Sequence, residues 1–196
     1  MQSTWPTNET PNTLPGFGKT SCYDLFWIYP GTWPGNRASS ATQDYRAPTW
    51  SWASRTGDVE WWTVQRPYTT WARINFARTT PVGDDPMGEL QDGKLGLKGI
   101  CIPIPRSRFA ACRPEEWCAD DGESGDSLYA NETILLMEIF QNLSPRSQVK
   151  LCLAFKLVSV EEQIYVRRGA ARISRDSPSG LYTALKAGAW KDIMVV

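Results

Sequence analysis

Histidine is absent from all 196 residues, so the side chain that most often serves as general base or neutral metal ligand is missing. Ser-His-Asp and Cys-His nucleophilic sites therefore cannot be built from this chain alone. Any catalysis must run on carboxylates, Lys, Tyr or Cys. Asp58 and Glu60 share a strand parity beside Trp61 and Trp62, a layout that outwardly suits a sugar-binding or glycosidase groove. Glycoside hydrolysis needs two carboxylates on opposite sides of the substrate, which a single strand rarely supplies, so this pair is not assigned catalysis.

Other constellations weaken in the same way. Gly16-Phe17-Gly18-Lys19-Thr20 has the tail of a phosphate-binding loop, but Thr13 stands where the first Gly is required and no strand precedes it. Cys112 and Cys118 flank Glu115 and Glu116, with Asp120 and Asp121 beyond, yet zinc-type spacing is lacking and a solvated acidic loop fits better. Asp120 to Asp126 misses the alternating oxygen ligands of a calcium loop. No metal and no cofactor is expected. Arg167, Arg168, Arg172 and Arg175 form a basic cluster that could meet an anionic partner, or simply decorate a solvated strand edge.

Composition bounds the classes further. Lys plus Arg equals Asp plus Glu at 21 each, so no global field draws the chain to nucleic acid or an anionic membrane. No apolar run approaches the roughly 20 residues that cross a bilayer, and the first residues lack the basic and apolar parts of a signal peptide, so a cytoplasmic protein is expected. Five Cys, an odd number at irregular spacing, fit reduced thiols.

The elements that would position these residues read as strands. Fourteen Pro and fifteen Gly predict many turns, and residues 1–20 read as a flexible leader before a single β-rich domain over residues 21–196. The apolar run Cys22 to Tyr29 is too short to assign by period. Val59 to Val64 and Trp71 to Phe76 are rich in aromatic and β-branched residues and are predicted to be neighbouring strands. Leu95, Leu97 and Cys101 share one parity and Lys94 and Lys98 the other, which predicts a half-buried strand.

Pro103 to Ser127 shows neither period and reads as an insertion loop. Thr133 to Phe140 is nearly continuous apolar, predicting a strand covered on both faces at the sheet's centre. Val149 to Leu157 alternates with period two and forms a hairpin with Ile164 to Gly169; a short helix at Ser179 to Ala187 and a docked last strand at Trp190 to Val196 follow. The expected fold is mainly β, an antiparallel sheet or barrel-like domain with minor helix.

One stretch carries more information than the rest. Tyr45-Arg46-Ala47-Pro48-Thr49-Trp50-Ser51-Trp52-Ala53-Ser54, followed by Gly57, resembles the Ala-Pro-Ser-Trp-Ser-Trp-Ala-Ser signature found just past the conserved domain of fungal heterokaryon incompatibility (HET) proteins, with Thr49 in place of Ser. The resemblance continues in order. It takes in Gly93, Leu95, Leu97 and Gly99; Leu135 and Leu136; Leu151 and Leu153; Tyr165, Arg167 and Gly169; and the closing strand. It also implies that the run Cys22 to Tyr29 is the end of a helix. The HET domain itself lies upstream in that family and has no room in the 44 residues before Tyr45, so the chain resembles the C-terminal region alone.

The resemblance implies a non-catalytic accessory or protein-interaction module in non-self recognition and regulated cell death. Its expected partner is a HET domain in cis or in trans, with no nucleic acid, membrane or small-molecule substrate. Trp50, Trp52, Trp61, Trp62, Arg167 and Arg168 are the candidate docking residues; Tyr45, Pro48, Trp50, Ser51, Trp52, Ser54 and Gly57 form the structural signature. Trp50 and Trp52 share a face in extended backbone and read as core anchors, since each indole can bury about 200 Å². Two rival readings stay open: a carbohydrate-binding β module using exposed Trp, and a carboxylate-based hydrolase.

Overall fold

The computed structural model describes residues 22–28, 47–54, 59–61, 68–84, 90–112, 116–120, 132–142 and 148–196. The expected leader at 1–20, together with Tyr45, Gly57, Asp58 and Trp62, lies outside them. In chain order the strands are β1 (Trp27–Ile28), β2 (Glu60–Trp61), β3 (Tyr68–Thr70), β4 (Arg73–Pro81), β5 (Leu90–Pro105), β6 (Trp117–Ala119), β7 (Thr133–Asn142), β8 (Val149–Ser159), β9 (Ile164–Ser174) and β10 (Ala189–Val195). The single described α-helix, α1, is Leu181–Leu185. The protein is mainly β, as its sequence predicts, and no described helix is long and apolar enough to cross a membrane.

Long-range pairing organises the molecule. The sixteen-residue β5 pairs antiparallel with β4 through residues 90–98 and with β10 through 95–101, then with β7 through 100–105. β7 pairs with β8, β8 with β9, and β9 runs parallel to β10 at Ile164–Met194 and Tyr165–Val195. Five strands thereby close a ring, β5–β7–β8–β9–β10–β5, which removes the open edges that a flat sheet would expose. β3 extends β7, β4 extends β5, and β6 lies along β9.

Strand parity sorts the core into two clusters. Leu95, Leu97, Met137, Leu153, Tyr165 and Val195 belong to one, which draws on all five ring strands and also takes in Phe26 and Trp50. Ile102, Leu136, Cys152, Ala171, Leu181 and Leu185 belong to the other, which α1 and the 3-10 turn Arg106–Ala111 cover. Alternate residues of β7 and β8 enter opposite clusters, so both faces of those strands are buried. The continuous apolar run of β7 is thereby explained, and so are Lys150 and Cys152, which the alternation in β8 assigns to a polar face but which are buried.

Several expectations are corrected. Cys22–Leu25 is a 3-10 helix running into β1, and what precedes it lies outside the described residues. Among the described residues β2 pairs with β1, Trp61 opposite Trp27, and not with β4. The expected insertion loop begins as strand, because β5 runs on to Pro105, and later contributes the 3-10 turn and β6. The helix and final strand lie where predicted, the helix shorter than its sequence window.

Candidate functional site

Residues from four separate sequence segments meet at a buried junction beside β9. β9 carries a bulge: Arg167 opposes Phe155 and Gly169 opposes Ala154, leaving Arg168 out of register. Arg167, on the regular side of the bulge, shares the parity of Tyr165 and enters the core, where it is 2% exposed. Its guanidinium carbon sits 3.3 Å from the centroid of the Trp27 ring, a cation–π stack worth about 2 kcal/mol when desolvated. Nη2 donates to the Trp27 carbonyl at 2.6 Å, and Nε pairs with Asp120 Oδ2 at 3.3 Å. The Trp27 indole N–H in turn donates to the Trp50 carbonyl at 3.0 Å.

Thr49 closes a gap in β9's hydrogen-bonding edge. On that edge the Tyr165 carbonyl accepts from Val196 N–H at 3.0 Å, at the end of β10, and the Arg168 carbonyl accepts from Asp120 N–H at 2.9 Å, at the end of β6. Between them the Arg167 N–H meets no strand. Thr49 Oγ1 accepts from it at 3.1 Å and donates to the Val196 carbonyl, which also accepts from Thr49 N–H at 3.2 Å. A Ser hydroxyl could do the same, so a hydroxyl at position 49 is what this edge requires.

Two glycines permit the approach of neighbouring elements. A Cβ on Gly93 would come 2.0 Å from Pro48 Cγ, and one on Gly169 would come 2.3 Å from the Cys118 carbonyl oxygen. Pro48 therefore seats on β5 and β6 on β9 only where a side chain is missing. Trp27, Pro48 to Trp50, Gly93, Arg167 and Gly169, scattered along the sequence resemblance, are thus joined by direct contacts.

This placement revises the docking residues. Arg167 is not on a solvated edge, and Arg168 is half-buried at the bulge. Asp120 is not part of a solvated loop but 3% exposed against Arg167. Trp50 is buried in the cluster containing Leu95 and Leu151, as expected of an anchor. The side chain of Trp52 and all of Trp62 lie outside the described residues. Trp61 is 51% exposed in β2, and Ser51 and Ser54 close a local turn, Ser54 Oγ donating to the Ser51 carbonyl at 2.7 Å.

Three further polar groups are held in or against the core, among them Glu116, which the sequence places in a solvated loop but which is 4% exposed. Glu138 and Lys150 form a buried pair 2.5 Å apart under Tyr182, whose ring centroid lies 5.3 Å from the ammonium. Burial pushes the Glu138 carboxyl above its ordinary range, and Lys150 only partly offsets this; Oε1 has no hydrogen-bond partner. Glu116 accepts from Ser177 Oγ at 2.8 Å and from Ser174 Oγ at 3.1 Å, fixing the turn that enters α1. Glu132 meets Lys156 at 2.6 Å and Arg106 at 3.2 Å; burial raises its carboxyl, but the two cations outweigh this and hold it below the usual range.

Three of the thiols are poorly suited to nucleophilic chemistry. Burial pushes Cys101 up to about 12 and Cys112 to about 11, and it drives Cys152 well above the ordinary thiol value. Among the described residues no group of three or more Cys, Asp or Glu is placed to hold a metal ion. No family model matches this chain, and no curated protein or solved structure matches it either.

Proposed function

We propose that this chain is a non-catalytic, protein-interacting accessory module of the kind that follows the HET domain in fungal heterokaryon incompatibility proteins, acting in the cytoplasm in non-self recognition and regulated cell death. Its partner is a HET domain, in cis or in trans. The observation that carries the reading is the junction itself. Residues that define the sequence resemblance, far apart in the chain, make contact through Trp27, Thr49, Trp50 and Arg167. A resemblance arising by chance would have no reason to converge on one set of hydrogen bonds.

The absence of catalysis in this reading rests on how the buried polar groups are occupied. Arg167 is engaged by Asp120 and Trp27, and Glu116 by two serines; Glu132 is held by two cations. Each arrangement ties elements together, and each leaves its groups committed to neighbours. The carbohydrate reading loses one of its two platform indoles, because Trp50 is buried.

The test is co-purification. The full chain and a purified HET domain are mixed and resolved by size-exclusion chromatography; a co-eluting complex supports the reading, and separate elution at micromolar concentrations overturns it.

A further inference from the structure

Among the described residues, α1 is fastened to the sheet by side chains alone. The backbone hydrogen bonds around it close within residues 177–188, from Gly180 N–H on the Ser177 carbonyl to Gly188 N–H on the Leu185 carbonyl. Leu181 and Leu185 rest on the second core cluster, and Tyr182 is the polar pin: its hydroxyl donates to Gln148 Oε1 at 3.2 Å and accepts from Gln141 Nε2 at 3.4 Å. Gly180, at φ 67° with open space where a Cβ would stand, leads the chain into this element. A five-residue helix tied down in this way can open locally at less cost than unfolding the sheet.

Beneath the pin lies a charge pair that the helix seals. Lys150 Nζ is 5.3 Å from the Tyr182 ring centroid and 2.5 Å from Glu138 Oε2, while Glu138 is 1% exposed and its Oε1 meets no protein donor. We infer that α1 is a proton-governed lid, which closes tightly over a protonated Glu138 and opens more readily once that carboxyl ionises. A buried carboxylate with one oxygen unmet has lost hydration that it regains when the lid lifts, whereas the neutral acid has lost far less. The closed lid therefore holds a proton on Glu138 that the open state releases, in keeping with the upward push of burial on this carboxyl. Opening loosens the cover of an apolar patch that includes Leu136, Cys152, Ala171 and Ile173.

The other groups around Glu138 do not carry this sign. β8 places Cys152 directly opposite it, and β5 places Ile100 there, with Lys98 beyond turned to Asp192 at 3.4 Å. Burial lifts the Cys152 thiol well above its ordinary value and its neighbours Cys101 and Cys112 to about 12 and about 11, so these thiols stay protonated through the acid range. On α1 itself, Lys186 is exposed, 5.8 Å from the Tyr182 ring centroid. Glu116 holds the turn before α1 through Ser177, so neutralising it in acid loosens the lid, the opposite direction.

Native-state hydrogen exchange of the full chain, corrected for the intrinsic pH dependence of exchange, reads the lid at the amides of Ala184, Lys186 and Ala187 and the sheet at those of β7 and β8. We expect the lid amides to be at least about tenfold less protected than the sheet amides at every pH. Their protection should fall by up to about tenfold per pH unit from the ordinary Glu value near about 4.3 to the folded Glu138 value, then level off. In Glu138→Gln that fall should vanish. Tyr182→Phe keeps the ring over Lys150 but gives up both hydroxyl bonds, so it should lower lid protection about fivefold throughout and leave the fall in place. Lid and sheet amides exchanging together, a flat profile in the parent chain, or a fall that persists in Glu138→Gln overturns the inference. Should Glu138→Gln not fold, labelling of Cys152 by dithiodipyridine decides, read at its own peptide and divided by the rate in urea: the ratio should rise with pH over the same range in the parent chain, and a constant ratio overturns the lid.

Discussion

Two buried ion pairs sit in this domain in different surroundings, and the contrast shows what a buried charge needs. At the β9 junction Arg167 has an aromatic face, a backbone carbonyl and a carboxylate around its planar guanidinium. Under α1, the compact Lys150 ammonium meets Glu138 and the face of Tyr182, and Glu138 keeps an oxygen with no hydrogen-bond partner. The first pair stacks a planar cation on an aromatic face and ties distant segments together. The second joins adjacent strands that already pair over seven positions, so the fold depends on it less.

The largest expected effect breaks the first pair. Arg167→Ala should cost about 3 to 5 kcal/mol, measured by urea denaturation, because it strands Asp120 in the core and uncovers Trp27. Arg167→Lys should recover little of this, since an ammonium cannot stack and fork together. Full recovery by Lys would show that charge alone matters there. The second pair should answer differently. Replacing Glu138 and Lys150 together by Leu and Met should be neutral or stabilising by about 1 to 4 kcal/mol, whereas either single replacement should destabilise. A large loss in the double variant would place the two pairs on the same footing.

Smaller effects test the junction's polar edge and its contrast with Glu132. Thr49→Val should cost about 1 to 3 kcal/mol by leaving the Arg167 N–H unmet, and Thr49→Ser should be near neutral. Equal Tm for Val and Ser would mean that the hydroxyl does not hold this edge. Glu132→Gln should cost about 1 kcal/mol at pH 7. The Glu132 carboxyl is depressed, so its contribution is present above the unfolded Glu value near about 4.3 and is lost as pH falls through its folded pKa. The variant and the parent should therefore converge in stability as pH falls through the folded Glu132 value. Glu138 has the opposite sign: raised by burial, it favours the folded state below that unfolded value and loses the contribution as pH rises through its folded pKa.

Strand content was legible because period two and apolar runs are local signals. Leu95, Leu97 and Cys101 point to one face as their spacing predicts, and the β8–β9 hairpin follows from two runs around a short turn. What covers a face is not local. Lys150 and Cys152 read as solvent-facing because α1, which buries them, begins some thirty residues later. Arg167 read as part of an exposed basic cluster because its Trp27 stack and its Asp120 partner come from elsewhere in the chain. The Trp-rich signature was legible as a word, but the work of its Thr49 hydroxyl appears only once β6, β9 and β10 are side by side.

The junction also sets an order of events. Trp27 and Arg167 are 140 residues apart, and Thr49 and Val196 are 147 apart, so these contacts close far longer loops than the 23-residue Trp27–Trp50 bond. Closing such loops costs entropy before any bond repays it, which makes this the late step of folding. Interactions absent from the transition state act on the unfolding rate. Thr49 and Trp27 therefore act as a latch: they decide how long the native state persists once made, while the ring decides how fast it is reached.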